Sequence, residues 1–466
     1  MPDFSIILAA PQVRPLVQQN LLERAFHDAL FPQLLYRGEA TPQVWPAGVG
    51  DVQIFSAPGL IEPDLTPGTP GVDPSPVSYP MEQWQAQLHQ YHGTIDTHMP
   101  TSMVAIADLF LRNSHQLGLQ AGMTVNRLAR NRLYNAALSG WTVADGAQVG
   151  VTELRVKRLN GLTRARNPLT SGASRVQFDT VSSSNPLQVH IDVSGVDTLR
   201  NVIGYTPDTI GDEVGPGTIT INSAITVADR AYVYSADATN IVRSGGGLKV
   251  DDVAGDSPSF ADLRKVVANF RENNVPAHPD GRYHAHLGPQ SENLIFSDDE
   301  LQRLNTAIPD YYMYKQFAIG ETLGTIYVRN SEAPIVSTVV DGSTGEFSQR
   351  DPFGGELTVD GTVGGERAHR ILFTAQGGLM EYYSDLANLL TDAGVQGKIA
   401  EPQVVNNGIE VYTDRIQLII RSPQNRMADM VSTSWKIIAD WPFRTDAATG
   451  DSARYKRAAV IEHGDA

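Results

Sequence analysis

Three histidines, His278, His284 and His286, with Asp280 among them, are the side chains of this sequence best suited by type to hold a metal ion. Two histidines separated by one residue on a strand face the same side, a spacing that zinc sites use. Against that, Pro279-Asp280-Gly281 is a sufficient turn signal by itself, and Tyr283 and Ala285 would then form the inward face of an ordinary strand. His89, His92 and His98 are irregularly spaced and read as a solvated or interface face. Asp298, Asp299 and Glu300 could be taken for paired carboxylates, but Ser297 with Glu300 fits a capping box, and first-turn acids stabilise a helix dipole without catalytic work. The Gly/Asp-rich loop 341–366, with Asp341, Asp351 and Asp360, lacks EF-hand spacing. Gly397-Lys398-Ile399 fails the Walker A pattern in spacing and hydroxyl, and Gly342-Ser343-Thr344-Gly345 is one residue short of a nucleophile elbow. No strand-to-helix unit follows Gly215-Pro216-Gly217, and the basic run Arg155, Lys157, Arg158, Arg164, Arg166 reads better as an interface or solvated face than as a phosphate site. The expectation is a protein that is not an enzyme and needs no cofactor. The alternative is a metal-dependent enzyme with a His278/His284/His286 site.

The elements around these residues predict an α+β chain. Residues 1–47 carry a short helical signal broken by Pro11, Pro15 and Pro32, and read as an arm. The apolar run Phe4 to Ala10 has Asp3 ahead of it and no basic flank, so it is not expected to be a signal peptide. Residues 51–57 alternate as a strand. Residues 58–80 hold seven prolines and three glycines, which exclude helix or interior strand. Residues 81–95 alternate again, with Trp84, Ala86 and Leu88 on one face and glutamines on the other. Together these predict a long two-stranded projection, and a lone hairpin is marginal in water. Residues 101–139 predict the strongest helix, about 55 Å long, with Ile106, Leu109, Phe110, Leu117, Ala121, Val125, Leu128 and Ala136 as its apolar stripe. Gly118 and Gly122 mark either a close contact or a bend in it. Residues 150–247 predict a small all-β insertion. An amphipathic helix follows over 257–273, then strands at 282–287 and 322–328, an untyped apolar segment at 368–390, and strands to the end.

Charge is the most informative feature. Between Arg37 and Arg112 there is no lysine or arginine, and residues 38–111 carry eight acids. Residues 112–200 reverse this, with eleven bases against five acids. An acidic arm next to a basic region satisfies itself most easily when the arm of one copy lies on the basic surface of the next, a head-to-tail geometry. The formal charge of -16 argues against nonspecific attraction to nucleic acid or an anionic membrane. There are no cysteines, hence no disulfide or thiolate site. Arginine outnumbers lysine 29 to 7, which suits bidentate pairing with carboxylates. No apolar run approaches the length needed to span a bilayer, and synthesis in a cytosol is expected.

The order of arm, hairpin, long helix, mixed α/β domain and returning strands resembles the major capsid protein of tailed double-stranded DNA phages, with the HK97-type fold. The stretch FADLRKVVANFRENNVPAHPDGRYHAHLGPQSENLIFSDDELQRL (260–304), continued by GTIYVRNS (324–331), is similar to the helix, P-x-D-G-x-Y strand and L-x-x-D pattern of the axial domain in such coats. The resemblance implies 1–47 as N-terminal arm, 48–98 as extended loop, 99–145 as peripheral domain with the spine helix, 253–400 as axial domain and 401–466 as peripheral strands. The block 150–247 has no place in the minimal fold. The resemblance further implies hexamers and pentamers of an icosahedral shell around double-stranded DNA held without sequence specificity, with host cytoplasm as the site of assembly and the virion as the final location. It implies a separate scaffolding protein, a portal and room for a decoration protein, and no membrane. The expected contact sets Glu62, Asp64, Asp73 and Trp84 of the loop against Arg112, Arg127, Arg130 and Arg132 of a neighbour's spine helix, with Gly118 and Gly122 as the helix bend. An encapsulin-like nanocompartment shell is the alternative within the same fold.

Overall fold

The computed structural model describes residues 25, 26, 28–30, 34–46, 50–58, 71, 73, 81–98, 109–137, 140–167, 177–194, 196–208, 215–229, 231–236, 241–246, 255–272, 275–306, 321–333, 369–384, 403–405, 408–413, 415–421, 430–444 and 457–464. The start of the arm, most of the proline-rich tip, the first turns expected of the long helix, the 341–366 loop and Gly397-Lys398-Ile399 lie outside them. Along the chain come β1 (Thr41–Val44), β2 (Val52–Pro58), β3 (Met81–Gln87), β4 (His89–His98) and helix α1 (Leu109–Ala137). Next are β5 (Trp141–Val143), β6 (Gln148–Val156), β7 (Arg164–Asn167), β8 (Gln177–Thr180), β9 (Leu187–Val193), β10 (Val196–Pro207), β11 (Gly217–Val227), β12 (Tyr232–Ser235) and β13 (Ile241–Arg243). Helix α2 (Phe260–Glu272), β14 (Tyr283–Leu287), short helices Pro289–Phe296 and Asp299–Thr306, β15 (Glu321–Thr322) and β16 (Thr325–Arg329) follow. The chain ends with β17 (His369–Thr374), β18 (Met380–Tyr383), β19 (Gln403–Val405), β20 (Gly408–Thr413), β21 (Ile416–Arg421), β22 (Met430–Asp440) and β23 (Ala458–His463).

Two compact units divide the chain, one from Met1–Phe55, Gln85–Arg132 and Leu379–Pro442, the other from Ser56–Trp84, Leu133–Gly378 and Phe443–Ala466. In the first, a seven-stranded sheet is built around β22, which pairs along one edge with β4 from His89↔Ala439 to His98↔Met430 and along the other with β21 and β18. β1 adds to β18 in parallel. Alternation places Thr433, Trp435, Ile437 and Ala439 of β22 on the buried face. Gly93 is required on β4, because a Cβ there would stand 2.5 Å from the indole nitrogen of Trp435.

Helix α1 buries Leu117, Ala121, Val125, Ala129, Leu133 and Ala137, a row four residues apart. The expected stripe shares Leu117, Ala121 and Val125 with it, while Leu128 and Ala136 are only half-buried. Large and small residues alternate along this row, and beside it Gly118 marks a close backbone approach: a Cβ there would meet the carbonyl oxygen of Phe26 at 2.4 Å. Gly118 is a close packing contact inside a helix that runs unbroken over 29 residues, about 44 Å.

The first unit also holds a buried carboxylate between two guanidiniums. Glu381 on β18 accepts from Arg37 at 2.7 and 3.0 Å and from Arg415 at 2.9 Å. The Arg415 guanidinium lies over the Tyr383 ring.

The second unit has two six-stranded sheets and the two-stranded pair β7–β8. Strands β5-β12-β9-β10-β11-β6 form an antiparallel array whose ends meet: Ala144 bridges Val156, and Lys157 N–H donates to the Val143 carbonyl at 3.0 Å. The array is a closed six-stranded barrel filled by Leu154, Val156, Val189, Ile191, Ile219 and Val233, among others. Its strands come from residues 141–235, whereas the sequence places an all-β insertion at 150–247. β13 leaves the barrel for the second sheet, β13-β23-β17-β14-β16-β15, where it pairs in parallel with β23. Phe260, Leu263, Val266 and Phe270 of α2 pack with Tyr283, Ala285, Ile371, Phe373 and Ile461 as the core of that sheet. Toward the β13 edge of the sheet, Glu462 of β23 accepts from Arg370 of β17 at 2.6 Å and from Arg243 of β13 at 2.9 Å, with Glu462 and Arg370 fully buried.

The capping box expected at Ser297 is not formed. Asp298 caps instead, its Oδ1 accepting from Glu300 N–H at 2.7 Å and its Oδ2 from Phe260 N–H at 2.9 Å. One carboxylate thereby serves two helix N-termini, while Ser297 donates back to the Leu294 carbonyl.

Candidate assembly surface

The hairpin rests on aromatic residues at its base. Phe55 of β2 stacks on Tyr382 with ring centroids 4.0 Å apart, and Trp45 meets both edge-on at 5.8 and 6.0 Å. The Trp45 indole N–H donates to the Gly50 carbonyl, closing the turn from β1 to β2. Because Phe55 faces this cluster, strand alternation turns Val52 and Ile54 the other way, and they are 40% and 64% exposed. On β3, Trp84 and Ala86 are buried while Gln85 and Gln87 are exposed. Among the described strands, β2 and β3 pair only with each other.

The sequence alternation from 81 to 95 conceals a change of partner at Leu88. Its N–H donates to the Asp51 carbonyl at 2.8 Å, on the hairpin side, and one residue later the chain pairs with β22. Asp440 occupies the gap, accepting from Gln87 N–H at 2.9 Å and lying 3.6 Å from the Arg132 guanidinium. Burial, and after it the Asp440 charge, push the Tyr91 hydroxyl up, with Arg132 opposing.

The residues singled out in the sequence distribute unevenly. Arg112 is exposed and the Arg132 side chain is 53% exposed. Arg127 is half-buried. Arg130 is 4% exposed, donating to Asn131 Oδ1, so it belongs to the interior of its own chain rather than to a surface for a neighbour. Trp84 is likewise 8% exposed, with the Arg444 guanidinium 5.1 Å from its ring centre, and is not presented outward. Both departures have one cause: helix and strand periodicity assign a residue to a face but do not reveal what covers that face. Asp73 is exposed, and Glu62 and Asp64 lie outside the described residues.

Of the three histidines, His278 and His284 come together with rings stacked 4.1 Å apart. His284 Nε2 is 3.0 Å from Asp280 Oδ2, and Asp280 Oδ1 accepts from Arg282 N–H at 3.0 Å, the local bonding of a turn. Burial works to raise the Asp280 carboxyl, but these bonds outweigh it and hold it below the usual range. His286, on the same strand as His284, is fully buried. The arginine-bracketed Glu381 and Glu462 went unrecognised in the sequence. For Glu462 and its partner Arg370 the signal is a charge inside an apolar strand run, AAVIEH and HRILFT.

No family model matches the sequence, and no curated protein matches it. Among solved structures, the chain is similar to the head of Helicobacter pylori bacteriophage KHP40, at 8% identity over 92% of this chain and 91% of that one, with a TM-score of 0.46. It is similar to the capsid of Ralstonia phage GP4 at 12% identity, over 91% and 86%, with a TM-score of 0.44. An encapsulin complex of Synechococcus elongatus is also similar, at 10% identity over 93% and 88%, with a TM-score of 0.37. The solved structures to which this chain is similar include phage capsids and an encapsulin.

Proposed function

We propose that this protein is the shell subunit of a tailed double-stranded DNA phage, an HK97-type major capsid protein that closes into hexamers and pentamers. The observation that carries the reading is the β2–β3 hairpin. It is a two-stranded sheet without further strand partners among the described residues, set in a 74-residue stretch without a single base. Such a projection needs a surface to rest on, and a cationic surface suits it best. The exposed Arg112 and Arg132 of α1, with the half-buried Arg127, supply that surface on a neighbouring copy. Copies related head to tail in this way form rings when the rotation between them closes. The element order supports the reading, since hairpin, long helix, mixed α/β sheet and returning strands follow the resemblance of the sequence.

Inside such a shell the packaged DNA would be held without sequence specificity, and the net negative charge would keep the wall from sticking to it. The virion is the corresponding location, reached through assembly in the host cytoplasm with a separate scaffolding protein, a portal and, in some shells, a decoration protein. The helix bend proposed for Gly118 and Gly122 would have to break the close contact of Gly118 with the Phe26 carbonyl.

The test is a triple charge reversal, Glu62→Lys, Asp64→Lys and Asp73→Lys. The variant should remain a folded, soluble subunit and assemble poorly, as seen by sedimentation and negative-stain microscopy. Normal particles from it would refute the charge pairing.

A further inference from the structure

Residues 278–284 put three ligand-type side chains, His278, Asp280 and His284, into one short segment, and the backbone holds them there. The Gly281 N–H donates to the His278 carbonyl at 2.8 Å and the His278 N–H to the Arg282 carbonyl at 2.9 Å, a tight turn that sets Gly281 at φ 79°. His278 and Asp280 therefore stand on the turn and His284 at the start of β14, all within the second unit. His284 Nε2 is 3.0 Å from Asp280 Oδ2. Two ligand atoms bound to one tetrahedral zinc stand about 3.3 Å apart, so an ion can take the place of the proton between this pair with little movement. A ring nitrogen of His278 lies within 4.8 Å of one of His284, near enough for a change of side-chain torsion to bring both to the same ion. Parallel rings do not aim their lone pairs at one point, so the ion must tilt one ring out of the 4.1 Å stack. Behind them stands Thr374, 2% exposed, whose hydroxyl accepts from His278 Nε2 at 3.4 Å and donates to the His284 carbonyl at 3.5 Å. An outer contact of this kind sets the tautomer and orientation of a metal-bound histidine. The Asp280 and His284 side chains are 34% and 22% exposed, which gives an ion a route from solvent.

We propose that His278, Asp280 and His284 bind one zinc ion, with water in the remaining position, and that the ion ties the 278–282 turn to β14. Two imidazoles and a carboxylate are a ligand set that suits zinc. The site stands whether or not the chain builds a shell, and no reaction is required of it.

The experiment titrates zinc chloride into the untagged full chain, stripped of metal with a chelator, by calorimetry, and repeats the titration with cobalt(II) to read its visible absorption. One ion per chain is expected, with the cobalt bands of a four-coordinate site. His284→Ala should weaken binding at least about tenfold. Asp280→Asn should do the same, and because asparagine keeps an acceptor for the Arg282 N–H, a folding failure of the first variant leaves the test intact. His92→Ala, at an exposed histidine of the first unit, should leave the titration as it is. Absence of one-to-one binding, one-to-one binding that either folded variant retains at full strength, or equal weakening by His92→Ala would overturn the proposal.

Discussion

Each compact unit holds one glutamate between two arginines, and each cluster sits where a parallel strand is added to a sheet: β1 on β18 at Glu381, β13 on β23 at Glu462. The chemistry is the same and the surroundings differ. Glu462 and Arg370 are sealed from solvent and the Arg243 side chain is only 8% exposed, whereas at Glu381 the Arg415 side chain is 28% exposed. A sealed triad is costly to assemble and more costly to break in part, because removing one member strands the others in a medium that does not solvate charge. An arginine that reaches water can be rehydrated when its partner is lost. The comparison therefore predicts a fixed staple in the second unit and an openable clasp on the N-terminal segment in the first.

The largest effect should come from Glu462→Ala, expected to destabilise the second unit by about 3–5 kcal/mol, measured by urea unfolding. Glu381→Ala should cost about 2 kcal/mol and raise hydrogen exchange at the Thr41 amide, which donates to the Leu379 carbonyl next to the clasp. Equal costs at the two sites would show that solvent access is not what separates them. Gly118→Ala tests packing against propensity: alanine favours the helix by about 1 kcal/mol, yet its methyl would strike the Phe26 carbonyl, so net destabilisation of about 1–2 kcal/mol is expected in thermal melts. The smallest effect is the response to acid. At Glu462 burial favours the neutral acid, but Arg370 and Arg243 outweigh it and hold the carboxyl below its ordinary value. Its contribution is present above that ordinary value, near pH 4, and is lost as pH falls through the lower folded value. The second unit should therefore hold its near-ultraviolet circular dichroism at pH 5 and lose it only in stronger acid.

Much of this was legible where a period or a composition carries the information. The α1 stripe at Leu117, Ala121 and Val125, the inward Tyr283 and Ala285, and the strand Leu187–Val193 follow from apolar spacing alone. What failed to show depends on contacts far apart in sequence. Ser297 satisfies the capping pattern, yet Asp298 wins because the Phe260 amide, 38 residues earlier, also needs an acceptor. The barrel closes through Ala144 and Val156, so its first strand precedes the composition change that marked residue 150. Arg130 has the sequence of a surface arginine and a buried position, and no local pattern separates the two.

The change of strand partner at Leu88 has a mechanical consequence. Tension on the hairpin passes straight along β4, where ten register pairs with β22 would share the load in shear, instead of opening one after another.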